Sequence, residues 1–176
     1  MGRSGRGYTL VEVLIAVVMM AILAGLTIPS FLGFMQRSRL DAAVGQIVEH
    51  VREARSRATM TGWQYRVFGF NYGGGNALKN QYRLMARSSP AVAWPGDTVA
   101  PFQSATQMAG VWVNLNNTYP GVRVNPLDGS PRFWVAFDAR GVAFDIDTSF
   151  QPLQVTYQTG DTRTVTVTTA GSVRIQ

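Results

Sequence analysis

The sequence contains no cysteine. That excludes disulfides and thiolate-bound metals, and it says nothing firm about compartment. It holds a single histidine, His50, and a single lysine, Lys79. One histidine cannot build a zinc site without other strong ligands, and none cluster around it. Serines 88, 89, 104, 130 and 149 have only that histidine as a base, and no nucleophile elbow surrounds any of them. The glycine-rich "GFNYGGGN" at 69–76 lacks the Lys-Ser/Thr that a phosphate loop requires and reads as a turn. Charged residues are scarce at 15%, against roughly 25% in ordinary soluble domains. The expectation is a chain without catalytic activity and without a cofactor.

What is present is one long apolar run. Between Glu12 and Arg37 no residue is charged. At 1.5 Å per helical residue, these two dozen or so residues suffice to cross a hydrocarbon core about 30 Å thick. Arg3 and Arg6 precede the run, so the positive-inside rule keeps the short N-terminus in the cytoplasm and exports the chain beyond Arg37. A cleaved secretory signal fits poorly, because Ile22 in "ILAG" stands where a small residue is wanted. A plain membrane anchor explains the length. It leaves Glu12 unexplained, since a carboxylate in hydrocarbon costs about 2.5–3.5 kcal/mol on insertion scales.

The stretch "GYTLVE" at 7–12 resembles the processing site of type IV prepilins. The resemblance implies a basic leader over 1–7, cut after Gly7 by a prepilin peptidase, with N-methylation of the new amine at Tyr8. It also implies an assembly role for Glu12, paired with the Tyr8 amine of a neighbouring subunit. A carboxylate that is costly alone becomes tolerable beside a cation. The other reading of Glu12 is an acid snorkelling to the membrane face. Pro29 lies inside the helical pattern, where the lost hydrogen bond predicts a kink or local melt.

Residues 8–36 thus read as a transmembrane and assembly helix. Over 37–61 the pattern turns amphipathic: Leu40, Val44, Ile47, Val51, Ala54 and Ala58 share one face, and Gly62 is the expected stop. From 62 to 176, short alternating runs separated by turns predict an antiparallel β domain: 63–70, 81–86, 111–115, 132–137, 141–146, 153–158, 163–169 and 172–176. In the last hairpin Val165, Val167, Val173 and Ile175 are expected on one buried side. The segment 87–110 has three prolines and no period, and reads as a surface loop.

The fold class is therefore α+β, with a long N-terminal helix packed on a β-sheet domain. With "VREARSRATMTGWQYRV" at 51–67 and "VTVTTAGSVRIQ" at 165–176, the chain resembles the type II secretion pseudopilin H and FimT-like minor pilins. Implied partners are other pilin or pseudopilin subunits, the prepilin peptidase, the lipid bilayer, and an inner-membrane assembly platform with its ATPase. The alternative is an anchored or secreted β-domain binding module without fibre assembly. Asp138, Asp145 and Asp147 cluster in sequence; Asp145 and Asp147 are a calcium candidate, against the alternative of a solvated strand face. Arg66, Arg83, Arg163 and Arg174 read as scattered surface arginines without aromatic interleaving, so DNA is a minor expectation.

Overall fold

A computed structural model describes residues 8–73, 77–96, 104–146, 152–158 and 160–176, with the side chains of 26–29 and 145–146 outside that description. The chain forms two compact units, Met1–Arg37 and Ser38–Gln176. Helix α1, Leu10–Thr61, is the one helix among the described residues long and apolar enough to cross a membrane. It begins at Thr9, whose hydroxyl accepts from the Glu12 N–H at 3.3 Å. It ends as the Gly62 N–H bonds the Ala58 carbonyl at 3.0 Å, with Gly62 in the left-handed region at φ 74°.

Within the second unit the helix and two antiparallel sheets share one core. The first sheet has six strands in the order β3-β2-β1-β6-β7, with β4 pairing the other end of β2. Its strands are β1 Gln64–Phe70, β2 Gln81–Arg87, β3 Gln107–Ala109, β4 Val113–Asn114, β6 Arg132–Phe137 and β7 Ala143–Ile146. The second has the order β10-β9-β8-β5, from β5 Val122–Pro126, β8 Leu153–Tyr157, β9 Thr162–Val167 and β10 Val173–Ile175. The expected helix stripe is the buried face, joined by Ala43 and Val48. It packs with Tyr65, Val67, Tyr82, Phe133, Val135 and Phe137 of the first sheet and with Val122, Val124, Leu153, Val155, Val165 and Val167 of the second.

Several expectations need correction. The segment 87–110 is not all loop, because Gln107–Ala109 pairs with Met85–Arg87. Residues 111–115 are not one strand. The Asn114 carboxamide caps a short helix α2, Leu115–Thr118, by accepting from the N–H groups of Asn116 and Asn117, and so ends the strand. Strand β5 lies outside the expected set, its alternation being only five residues long. Ile175 is 49% exposed, because the terminal strand reaches past the core that buries Val165 and Val167. Arg83 is 1% exposed rather than on the surface, since its carrier β2 is covered on both faces.

Two polar devices join the layers. Asn80 sits at φ 59° with its carboxamide buried. Its Oδ1 accepts from the Val124 N–H at 2.9 Å, and its Nδ2 donates to the Val122 carbonyl at 2.9 Å. The side chain thereby occupies the position of a neighbouring strand residue along β5 and links the entrance of β2 to the second sheet. Asp41 on α1 forms a 3.0 Å ion pair with Arg163 on β9.

Candidate functional site

The candidate site is the start of α1. Gly7 lies outside the described residues. Tyr8 is 84% exposed, and the apolar side chains described from Leu10 to Leu23 are exposed as well. Glu12 stands in the first helical turn, where a negative charge complements the helix dipole. Its Oε2 lies 3.5 Å from the Thr9 N–H, and its own N–H faces the Thr9 hydroxyl. This reciprocal arrangement is a capping box, written in the sequence as Thr-x-x-Glu at 9–12. Reading Glu12 only as an acid in apolar surroundings overlooks that second role. Thr9 is the site residue that sequence reasoning missed, and its spacing to Glu12 is the available signal. Pro29 falls inside the bounds of α1, and its side chain lies outside the described residues.

A mostly apolar cavity of about 270 Å³ in the second unit lies between α1 and strands β2 and β3. His50 and the Tyr82 hydroxyl share a 2.8 Å hydrogen bond there, and Glu53 pairs with Arg57 at 2.6 Å on its rim. Burial, with the neighbouring Tyr119 and Glu49 adding to it, raises the Tyr82 pKa, so this phenol stays protonated. His50 is a structural partner for a buried hydroxyl. Among the described residues no three acidic or imidazole groups gather as metal ligands. Asp145 and Asp147 of the calcium candidate lie outside the side chains described. Asp138 accepts from the N–H groups of Arg140 and Val142 and pairs with the Arg140 side chain at 2.9 Å, closing its own turn.

Residues 2–28 match the prokaryotic N-terminal methylation motif. That motif is a type IV prepilin signal, and it supports a type IV pilin-like protein. No curated protein and no solved structure matches the chain. The capping box at 9–12 lies within the matched residues. The motif implies contacts with pilin subunits and with prepilin peptidase in general terms. The apolar helix is compatible with the single-pass inner-membrane anchoring typical of pilins.

One negative expectation is overturned by strand register. Basic and aromatic residues do interleave, across strands rather than along the chain. On the face of the first sheet turned away from α1, Phe68 stands between Arg83 and Trp134, and Phe70 between Gln81 and Arg132. The Arg66 guanidinium lies 4.5 Å from the Trp94 ring centre, Arg87 4.4 Å from the same ring, and Arg83 4.5 Å from Trp112.

Proposed function

We propose that this chain is a structural subunit, a minor pilin or pseudopilin, of a fibre assembled from the inner membrane. The reading assigns it no catalysis. Prepilin peptidase removes residues 1–7 after Gly7, and the amine of Tyr8 is then methylated. The apolar part of α1 stores the subunit in the bilayer, with the β domain in the periplasm, and packs with sister helices on assembly. The assembly platform and its ATPase drive that extrusion. The resemblance at 51–67 and 165–176 favours two settings, a type II secretion pseudopilus with a subunit of the pseudopilin H kind and a type IV pilus with FimT-like minor pilins.

The observation that carries the reading is the methylation motif over 2–28, with Glu12 exposed in an otherwise apolar first helical turn. Glu12 has two tasks in this account. Before assembly its carboxylate faces the Thr9 N–H of its own chain, which lowers the cost of holding it near hydrocarbon. On assembly it pairs with the Tyr8 amine of a neighbour and sets the axial register. Intact mass of protein recovered from cells tests the proposal. Loss of residues 1–7 with one added methyl group is expected. An uncut chain, or a cut near Ala24, would favour an anchored or secreted binding module instead.

A further inference from the structure

From residue 62 onward the chain carries nine lysines and arginines. Six of them lie over aromatic rings: Arg66 on Phe68 and Trp94, Arg83 on Trp112, Arg87 on Trp94, Arg132 on Phe70, and Lys79 and Arg123 on Tyr72. At roughly one such contact per 70–80 residues, one or two would be ordinary in a domain of this size. Four of the six rise from the same face of the first sheet, the one turned away from α1.

That face is a rigid layer. Phe68, Phe70 and Met85 form a small buried cluster, roofed by the half-buried Trp94, Trp112 and Trp134. Trp94 is brought in by the segment 88–96, which is bound down at several points. Arg87 donates to the Val92 carbonyl at 3.1 Å, Arg83 donates to the Gly96 carbonyl, and Gln107 donates to the Ala93 carbonyl at 2.6 Å. Trp112 is turned onto the face by a β-bulge. Met85 pairs with Ala109 and Tyr82 with Val113, while the Gly110 N–H bonds the Leu84 carbonyl at 2.7 Å. Val111 and Trp112 are thus left opposite Arg83 alone.

We propose that this arginine–tryptophan face is the docking surface for an acidic segment of a partner protein. Tryptophan and arginine held rigid at the centre of a patch are the composition of an interface hot spot. The strands β1, β2 and β6 and the segment 88–96 supply four arginines and no carboxylate; the buried Arg83 adds its charge from beneath, and Arg66, Arg87 and Arg132 reach the surface. Counting also Asp97, next in the sequence, and Asp145 of β7 still leaves the sum positive. This charge persists whatever bonds each guanidinium makes within the chain. A second copy is a poor match, because no two of its ten acidic residues are adjacent in the sequence. Single-stranded nucleic acid is the less suited polyanion. It binds by stacking bases on open rings, and here the rings of Phe70, Trp94 and Trp112 already carry guanidiniums.

The test uses the full chain in lipid nanodiscs, with a labelled oligoglutamate peptide as probe and oligolysine and oligothymidylate as comparators. Oligoglutamate is expected to bind at low salt, shifting tryptophan emission. Arg132→Glu, at an exposed position of the patch, should weaken binding by about ten-fold or more, since like charges now face each other. Lys79→Glu is a second variant, beside the patch, that should also weaken it, and a melting curve confirms that each variant is folded. Arg174→Glu changes net charge equally on β10 and should leave affinity within about two-fold. Equal losses from Arg132→Glu and Arg174→Glu would reduce the effect to bulk charge and overturn the proposal. So would absence of binding, or oligothymidylate binding more tightly than oligoglutamate. Leader removal and methylation are measured by mass on the same samples, so failure here is distinguishable from failure of the fibre reading.

Discussion

The Nε of Arg55 on α1 donates a 3.0 Å hydrogen bond to the carbonyl of Gly141, in the turn between β6 and β7. The same side chain lies against Gly171, in the turn between β9 and β10. One arginine therefore holds a turn from each sheet against the helix. Gly171 sits at φ 77°, and a Cβ there would meet the Gly141 carbonyl oxygen at 2.5 Å, so only glycine lets the two turns approach this closely.

Arg55→Met keeps much of the aliphatic stem and removes the donor. It should destabilise the second unit by about 1–3 kcal/mol, read from chemical denaturation of the full chain. Gly171→Ala should cost more, because it adds a backbone clash to an unfavourable φ. A Gly171→Ala protein as stable as the parent would show that the turns are not locked together.

Asn80→Ala leaves the buried Val124 N–H and the Val122 carbonyl without their bonds to the carboxamide, and should cost about 2–5 kcal/mol. Asn80→Asp retains an acceptor for Val124 and loses the donor to Val122. Its expected loss is therefore of the same kind, with the added burden of a buried charge. Hydrogen exchange at Val124 reports the change directly, and unaltered protection there would refute the role assigned to Asn80.

Glu12→Gln and Glu12→Ala separate two functions of one side chain. Glutamine can still face the Thr9 N–H, so helix capping should survive while the charge is lost. Alanine removes both, at about 0.5–2 kcal/mol of local helix stability. Fibre incorporation should fail in both variants if charge pairing sets assembly. Normal incorporation of Glu12→Gln would mean that capping alone is what the position supplies.

Burial raises the Asp138 pKa, and hydrogen bonds from the Val142 N–H and from Arg140 more than offset this, so it lies below the ordinary 3.8. A group depressed in the folded state adds stability above its unfolded value, and that stability is lost as pH falls through the folded value. The β6–β7 turn should therefore loosen only below about pH 4. Asp138→Asn should flatten that part of the acid-denaturation profile, and an unchanged profile would remove Asp138 from the account.

Periodicity made the helix and most strands readable. Leu40, Val44, Ile47, Val51, Ala54 and Ala58 all turn inward because a four-three spacing admits only one face. Strand β5 is hard to read because its alternation ends at Pro126. Residues 111–115 mislead because Asn114 looks like a strand residue until its side chain is seen capping a helix. Arg83 misleads for a similar reason: a basic residue in an alternating run suggests solvent on one side, and nothing local announces that Trp112 and the 88–96 segment cover that side. The Thr9–Glu12 cap is legible in four adjacent letters. The arginine–aromatic layer is not, since it exists only once β1, β2 and β6 are laid in register.

The carboxamide of Asn80 has one more consequence. An uncovered sheet margin is a template on which a stranger's backbone can crystallise, and proteins crowded side by side run that risk constantly. Between Val122 and Val124 the template is already filled from within, so molecules concentrated in a narrow space cannot be zipped into amyloid from this margin.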